Sequence, residues 1–155
     1  MLSLVVHFAS SLGLPVPAVA MGLHVGIFLV WIPAILVSIP MTRDVPHKDF
    51  WRAALRGCPK WMRIMVYVFF GYAILNFALF LCGAFQGPAD ATGGAPPSIL
   101  KGFSGHWMAF YATALAMFYS ATQVRRMKPR QCPLGHTVSL STRYCEQCGS
   151  RVEEE

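Results

Sequence analysis

The stretch PAVAMGLHVGIFLVWIPAILVSI, residues 17–39, contains no Asp, Glu, Lys or Arg. Residues 64–85 and 103–124 form two further runs without these four residue types. Each run is about 22 residues long, and a helix of that length crosses about 30 Å of hydrocarbon. One such run could be a buried helix of a soluble protein, but three of them in a chain of 155 residues favour membrane spans. The sequence therefore predicts an all-α membrane protein, with a three-helix transmembrane domain over residues 17–124.

The composition agrees with this prediction. The chain is 55% hydrophobic and 13% charged, whereas a soluble domain typically carries about 25% charged residues. Residues 1–16 are also apolar, and residues 1–14 lack the Lys or Arg that begins a secretory signal peptide. Pro15 and Pro17 separate this segment from the first run. We expect residues 1–16 to lie in the membrane interface or to extend the first span.

The distribution of basic residues predicts the orientation. Ten of the thirteen Lys and Arg residues lie in residues 40–63 or 125–130, whereas the loop 86–102 contains Lys101 alone. The positive-inside rule assigns the basic side to the cytoplasm. We therefore expect a plasma (inner) membrane protein with its N-terminus outside and its C-terminus in the cytoplasm. On this interpretation the net charge of +6 reflects topology and requires no nucleic-acid partner.

Residues 45–57 predict an amphipathic helix on the cytoplasmic surface of the bilayer. On a helix, Phe50 and Trp51 share a face with Ala54 and Leu55, and the basic residues recur every four positions on another face. A solvated basic loop that only sets the topology is the alternative. Tryptophan prefers interfacial depth, so we expect indoles at both membrane surfaces. The residues assigned to the interface are Lys48, Phe50, Trp51, Arg52, Arg56, Trp61 and Trp107.

Small and polar residues inside the runs predict close helix packing, within the chain or with a partner subunit. His24 and His106 leave two interpretations open. In one, His24 bonds Asn76 and His106 is wetted near the surface; in the other, the two histidines hold a haem or a metal. A depth mismatch of about 5 Å argues against axial haem ligation. The residues assigned to packing are Ala18, Gly22, Gly26, Asn76, Gly105, Ala109 and Thr113.

The C-terminal segment carries four metal-ligand types in the pattern Cys132-x3-His136-x8-Cys145-x2-Cys148. Two short ligand pairs separated by a hairpin-length insert can close a tetrahedral site, and the mixture of thiolates with imidazole suits Zn²⁺. Three thiolates and an imidazole leave no open coordination position, so the zinc would be structural. We expect this metal-binding knuckle over residues 131–150, followed by an acidic tail at 151–155.

The knuckle resembles the small zinc-ribbon modules written Cys-Pro-x-Gly-His…Phe/Tyr-Cys-x-x-Cys-Gly. The resemblance covers about 18 of the 155 residues and implies a metal-stapled module. In one respect the sequence departs from a standard ribbon, which would have a cysteine where Gly135 stands, so His136 must be the fourth ligand. The matching residues are Cys132, Pro133, Gly135, His136, Tyr144, Cys145, Cys148 and Gly149.

The charged residues of the C-terminal segment and their absence from the apolar runs argue against several classes of function. Residues 131–155 contain two basic and four acidic residues, a local net charge of −2, whereas a nucleic-acid reader should be locally basic. The apolar runs lack the ionisable residues of a proton pathway, and no nucleophile–base pair predicts catalysis. We expect a non-catalytic accessory or assembly subunit in the lipid bilayer, within a larger membrane complex or homo-oligomer, with a cytoplasmic protein contacting the ribbon. A haem-binding redox subunit and an oligomeric channel or transporter component are the alternatives.

Overall fold

A computed structural model of the chain describes residues 2–43, 45–84, 97–127, 130–138, 142 and 144–152. Within them the chain forms five α-helices and one small sheet of two strands. The predicted acidic tail falls mainly on residues 153–155, and most of the predicted outer loop falls on residues 85–96, which both lie outside this description. The helices are α1 (Leu2–Ser11), α2 (Gly22–Thr42), α3 (Phe50–Ala54), α4 (Lys60–Leu81) and α5 (Pro97–Arg126).

Local sequence signals place the helix boundaries. Gly13, with φ of +73°, follows α1 in a left-handed conformation that only glycine adopts at little cost. A 3₁₀ turn at Ala18–Met21 leads into α2, and a second at His47–Asp49 leads into α3. Pro59 precedes the first residue of α4, where its missing N–H costs no hydrogen bond. Helix α4 begins and ends four residues before the predicted span 64–85.

Helix α5 is the centre of the fold. It packs against α1, α2, α3 and α4. The hydrogen bonds show that α4 and α5 run antiparallel, because Asn76 near the end of α4 contacts the start of α5, while Cys58 before α4 contacts Ala116. Eleven α5 side chains are buried: Leu100, Ser104, Trp107, Met108, Ala109, Thr113, Ala114, Ala116, Met117, Ser120 and Ala121.

The helical bundle exposes large apolar side chains and buries polar ones. Large apolar side chains face outward, for example Phe28, Leu29 and Ile32 on α2 and Val68 and Leu75 on α4. In water such side chains would favour the interior. The described residues instead bury a set of polar side chains between helices: Ser3, His7, Ser10, Ser38, Asn76, Ser104, Thr113 and Ser120.

Two of the helical segments are long and apolar enough to cross a membrane, Ala18–Thr42 and Lys60–Leu81. Only 17% of the most apolar window of each is buried, which separates them from the core helix of a soluble protein. Within the described residues α5 does not meet the same standard of length and composition. Its histidine, serine, threonine and tyrosine residues lower its hydropathy, and many of them face other helices. Two of the three predicted spans thus coincide with helices that could cross a membrane, and a third span is not shown.

The loop between the first two spans differs from the prediction. A helix was expected over residues 45–57, with its apolar face toward lipid, but α3 contains only five residues. Ala53, Ala54 and Leu55 are fully buried beside α2 and α5. The ring of Trp51 lies 6.5 Å from Trp31 and 5.8 Å from Phe70. The apolar face of α3 therefore packs on the bundle, because small side chains there allow a close approach to α5.

Candidate metal centre

The C-terminal knuckle begins with a tight turn that positions two ligands. Strands β1 (Arg130–Gln131) and β2 (Thr137–Val138) pair antiparallel and bring the ends of this turn together. Within it, the Cys132 N–H donates to the His136 carbonyl at 3.0 Å, and the Gly135 N–H donates to the Cys132 carbonyl at 2.8 Å. Gly135 has φ of +82°, so the turn depends on a glycine at this position.

A second turn of similar construction positions the other two ligands. The Cys145 N–H donates to the Ser150 carbonyl at 2.8 Å, and the Gly149 N–H donates to the Cys145 carbonyl at 2.8 Å. Gly149 also has positive φ, +70°. An antiparallel bridge between Tyr144 and Arg151 closes the base of the turn. Each turn thus begins with a cysteine, and the Gly135 and Gly149 turns let the chain reverse after it.

The two turns bring four ligand atoms into one cluster. The Sγ atoms of Cys132, Cys145 and Cys148 and a ring nitrogen of His136 all lie within 4.8 Å of one another. Cys132 Sγ is 3.6 Å from Cys148 Sγ and 3.5 Å from His136 Nδ1, and Cys145 Sγ is 3.7 Å from the same nitrogen. Around tetrahedral Zn²⁺, ordinary bond lengths require about 3.8 Å between sulfurs and about 3.6 Å between sulfur and nitrogen. The cluster could therefore hold a metal ion, and its geometry is compatible with zinc.

The electrostatics of the cluster favour a thiolate at one ligand. The hydroxyl of Ser150 lies 3.2 Å from Cys148 Sγ. Hydrogen bonds from Ser150 and from His136 lower the pKa of Cys148 to about 6. Burial raises the pKa of Cys145, because an apolar surrounding disfavours the charged thiolate. A divalent cation would offset this cost, because it favours the deprotonated form of every coordinating thiol.

The part of the knuckle that the structure describes has a small hydrophobic core. Val138 and Val152 are the buried apolar residues that pack against its cysteines. Two valines cannot offset the conformational entropy lost by ordering some twenty residues, at about 1–2 kcal/mol for each backbone unit. The short sheet adds a single pair of two-residue strands. A metal ion bound by the four clustered residues would offset part of this cost.

The polar residues of the predicted spans have partners that the sequence did not indicate. Trp107 is fully buried, and its Nε1–H donates to His24 Nδ1 at 3.2 Å. Trp107 therefore lies inside the bundle, where a second helix offers its indole an acceptor, and its depth in a membrane remains a prediction. Asn76 donates to the carbonyls of Lys101 and Gly102 at 2.7 and 3.0 Å, and so it does not bond His24.

The same hydrogen bond bears on the haem alternative. An indole N–H can only donate, so His24 Nδ1 must accept and the ring proton must lie on Nε2. A protonated ring nitrogen has no lone pair for iron. His106 contacts Phe77 edge-on at 4.9 Å, and its buried Nδ1 has no hydrogen-bond partner among the described residues. Phe103 lies beside both histidines, at 5.7 and 6.3 Å, so an aromatic ring adjoins each of them.

The predicted packing residues divide into two groups. A Cβ added at Gly105 would lie 2.9 Å from Asn76 Nδ2, and one added at Gly26 would clash with the hydroxyl of Tyr111. Gly105, Ala109 and Thr113 are all buried on α5. Ala18 and Gly22 are exposed, and within the described chain a Cβ at Gly22 would contact nothing within 4 Å. Close packing is thus found at four of the six small residues.

The remaining interface residues lie near the basic end of the bundle. Trp61 is exposed at the start of α4, and Lys48 and Arg52 are exposed on the 3₁₀ turn and on α3. Phe50 and Arg56 are half-buried. Their contact with a bilayer surface remains a prediction.

The sequence pattern was not used to predict a role for His7, which is buried in α1. His7 Nδ1 lies 2.6 Å from Ser104 Oγ on α5, and His7 Nε2 lies 2.5 Å from Tyr72 Oη on α4. One side chain therefore links three helices. A signal was available, because Ser3, His7 and Ser10 recur every three or four residues and form a polar stripe on a helix.

Comparison of the chain with protein-family models, with curated proteins and with solved structures finds no match in any of the three.

Proposed function

We propose that this protein is a non-catalytic membrane subunit that presents a zinc-stapled knuckle to a protein in the cytoplasm. The observation that carries the proposal is the set of four donor atoms within 4.8 Å of one another, directly after a bundle that is apolar outside and polar inside. Cys132 follows the last residue of α5 by only six positions, so a metal-bound knuckle would lie close to the membrane.

The zinc would be held by Cys132, His136, Cys145 and Cys148. It would supply folding free energy to a segment whose described residues bury two valines beside the cysteines, and the full set of four protein ligands leaves no position for a substrate. An accessory role, docking or assembling a partner, is what such a closed site favours. Leu134 and Tyr144 are exposed on the knuckle and are available for that contact.

The inverted polarity of the bundle supports α5 as the third span. A helix surrounded by other helices does not need the hydropathy of α2 or α4, because lipid reaches few of its side chains. Polar side chains such as Thr113 and Ser120 are tolerated within a membrane when they face neighbouring helices. An α5 of 30 residues is about 45 Å long and exceeds the hydrocarbon thickness.

The clustered basic residues support the cytoplasmic orientation of the knuckle. The antiparallel arrangement of α4 and α5 brings Lys60 and Arg63 to the same end of the bundle as Arg125 and Arg126. Arg43, the C-cap residue of α2, begins the basic loop that ends at Lys60 and Arg63. Under the positive-inside rule this end faces the cytoplasm.

Metal analysis tests the zinc centre directly. Detergent-purified protein should hold one zinc per chain, and the pair of substitutions Cys145→Ser and Cys148→Ser should abolish it. Cys58→Ser is the matched control, because Cys58 is a buried thiol outside the cluster whose Sγ contacts the Ala116 carbonyl. Wild-type protein without stoichiometric zinc would overturn the proposal.

Capture of the protein from membranes tests the accessory role. The tagged wild-type chain and the Cys58→Ser control should retain a common set of co-purifying chains, and the Cys148→Ser variant should lose those that the knuckle holds. An unchanged set in the Cys148→Ser variant would argue against partner contact through the knuckle. An absorption spectrum of the same sample distinguishes the haem alternative, which requires a Soret band.

A further inference from the structure

Helix α1 has the opposite polarity to a helix on a membrane surface. The residues that face α5 are Ser3, Val6, His7 and Ser10, all 7% exposed or less, and three of these four are polar. The residues on its other side are Leu2, Val5 and Phe8, followed by Leu12 directly after the helix, and all four are 60–75% exposed. An interfacial helix turns its polar face to water and its apolar face to lipid, whereas α1 turns its polar face toward protein.

The sequence gives α1 none of the charges that hold a helix at a membrane surface. Residues 2–42 contain no Asp, Glu, Lys or Arg, so neither α1 nor the segment leading to α2 is charged. Surface-bound amphipathic helices are typically rich in Lys or Arg on their polar face.

The contacts of His7 give the depth of α1. Tyr72 lies nine residues before the end of α4 at Leu81, which corresponds to about 14 Å along the helix axis. Ser104 lies seven residues after the start of α5, or about 10 Å along its axis. Val6 also packs in one cluster with Ile27 on α2 and Trp107 on α5, which lie five and ten residues after the first residues of their helices. A helix lying on the bilayer surface would contact the helix ends.

We propose that α1 is a half-length helix embedded in the outer leaflet, with its Leu2–Val5–Phe8–Leu12 face against lipid acyl chains and His7 as its anchor to the bundle. With ten residues, α1 is about 15 Å long, roughly half the hydrocarbon thickness. His7 hydrogen-bonds hydroxyls on both α4 and α5, so its ring is satisfied without water. This inference depends on the proposed membrane location and outward-facing N-terminal side.

Photo-crosslinking in lipid nanodiscs tests the lipid contact. Phe8 is replaced by p-benzoylphenylalanine, which removes hydrogen from a neighbouring C–H bond and joins to that carbon on illumination. The same replacement at Phe28 on α2 is the positive control, and at Leu134 on the knuckle it is the negative control. We expect intact-mass spectra to gain one lipid mass at positions 8 and 28 but not at 134.

A lipid adduct at 28 without one at 8 would overturn the placement of α1 and leave the membrane proposal intact. Absence of an adduct at both positions would instead contradict the membrane proposal.

Thiol accessibility tests which face of α1 is covered. Ser3→Cys is made in a Cys82→Ser background, and intact vesicles are treated on the outer side with a maleimide that cannot cross the membrane. We expect no labelling of the Ser3→Cys protein, because this face packs on α5. Labelling would show that the polar face meets water, as on a surface helix, and would overturn the proposal even if position 8 contacts lipid.

A third comparison isolates the role of His7. In the Ser3→Cys background, His7→Ala removes both hydrogen bonds, so α1 should detach and the thiol should become reactive. His7→Asn is the conservative variant, because its amide can still bond one hydroxyl, and it should remain less reactive than His7→Ala. Equal protection in all three proteins would show that apolar packing alone holds α1 and that His7 is not its anchor.

Discussion

At the scale of single residues, His136 is the one imidazole in the cluster that could hold a metal ion. The three thiols are recognisable from the Cys-x-x-Cys spacing and the preceding Cys-Pro, but a standard ribbon would have its fourth ligand at Gly135. The positive φ of Gly135 turns the chain so that the following imidazole reaches the cluster. His136 lies one residue after the position at which a standard ribbon has its cysteine. The turn at Gly135 brings the imidazole into the cluster despite this shift.

Substitutions of His136 should separate ligand loss from loss of folding. We expect His136→Cys to retain one zinc per chain, because four thiolates also form a structural zinc site. His136→Ala should bind zinc substoichiometrically or lose it during dialysis against a chelator. Metal content measured by plasma mass spectrometry distinguishes the two variants. Full zinc retention by His136→Ala would contradict the assignment of His136 as a ligand.

Gly135 provides a test of the turn itself. Gly135→Ala should weaken zinc binding by about 1–2 kcal/mol, because an L-residue in the left-handed region is strained by that amount. The affinity can be measured by competition with a chromogenic chelator. Gly22→Ala is the matched control, because the added methyl has space there and the backbone has no positive φ. An equal affinity for both variants would contradict a strained turn.

At the scale of elements, helix pairing depends on where polar groups meet a neighbour's backbone. Asn76 donates to two carbonyls in the first turns of α5, directly beside Gly105, whose lack of a Cβ leaves room for the amide. A side-chain amide bonded to carbonyls on another helix is a common form of interhelical contact in membranes. Glycine and asparagine therefore act as one packing unit, although they lie on different helices.

Disruption of this unit should destabilise the bundle. Asn76→Leu should lower the free energy of unfolding in detergent by about 0.6 kcal/mol, the average for an interhelical hydrogen bond, and by no more than about 1.7 kcal/mol, the largest value found for one. Gly105→Leu should cost about 1–3 kcal/mol through overpacking. Tyr67→Phe is the control, because Tyr67 is exposed on α4. Denaturant unfolding followed by circular dichroism would measure all three, and an unchanged midpoint for Asn76→Leu would refute the role of Asn76.

At the scale of the whole molecule, the helical bundle and the knuckle depend on different forces. The bundle contains buried clusters around Met117 and Trp107, drawn from several helices. The knuckle buries two valines among its cysteines. Metal removal should therefore affect one part of the molecule and leave the other folded.

Chelation tests this independence. After treatment with a strong chelator, we expect the helical circular dichroism signal to remain and the amide resonances of the knuckle to collapse toward random-coil values. Re-addition of one equivalent of Zn²⁺ should restore them. Cooperative loss of the helical signal together with the metal would show that the two parts fold as one unit.

Sequence by itself determined the features that depend on local spacing. Residue order determines the two most apolar runs, the clustered Cys and His residues, and the breaks at Gly13 and Pro59. Hydropathy, ligand reach and backbone conformation act over a few positions, so a local pattern reveals them.

Only the tertiary structure decided which way each helix turns its faces. It placed α3 against the bundle, Trp107 against His24 and Asn76 against α5. It also directed the polar stripe of α1 inward. Such choices depend on groups far apart in the chain, because each polar side chain bonds whichever neighbour packing brings within reach.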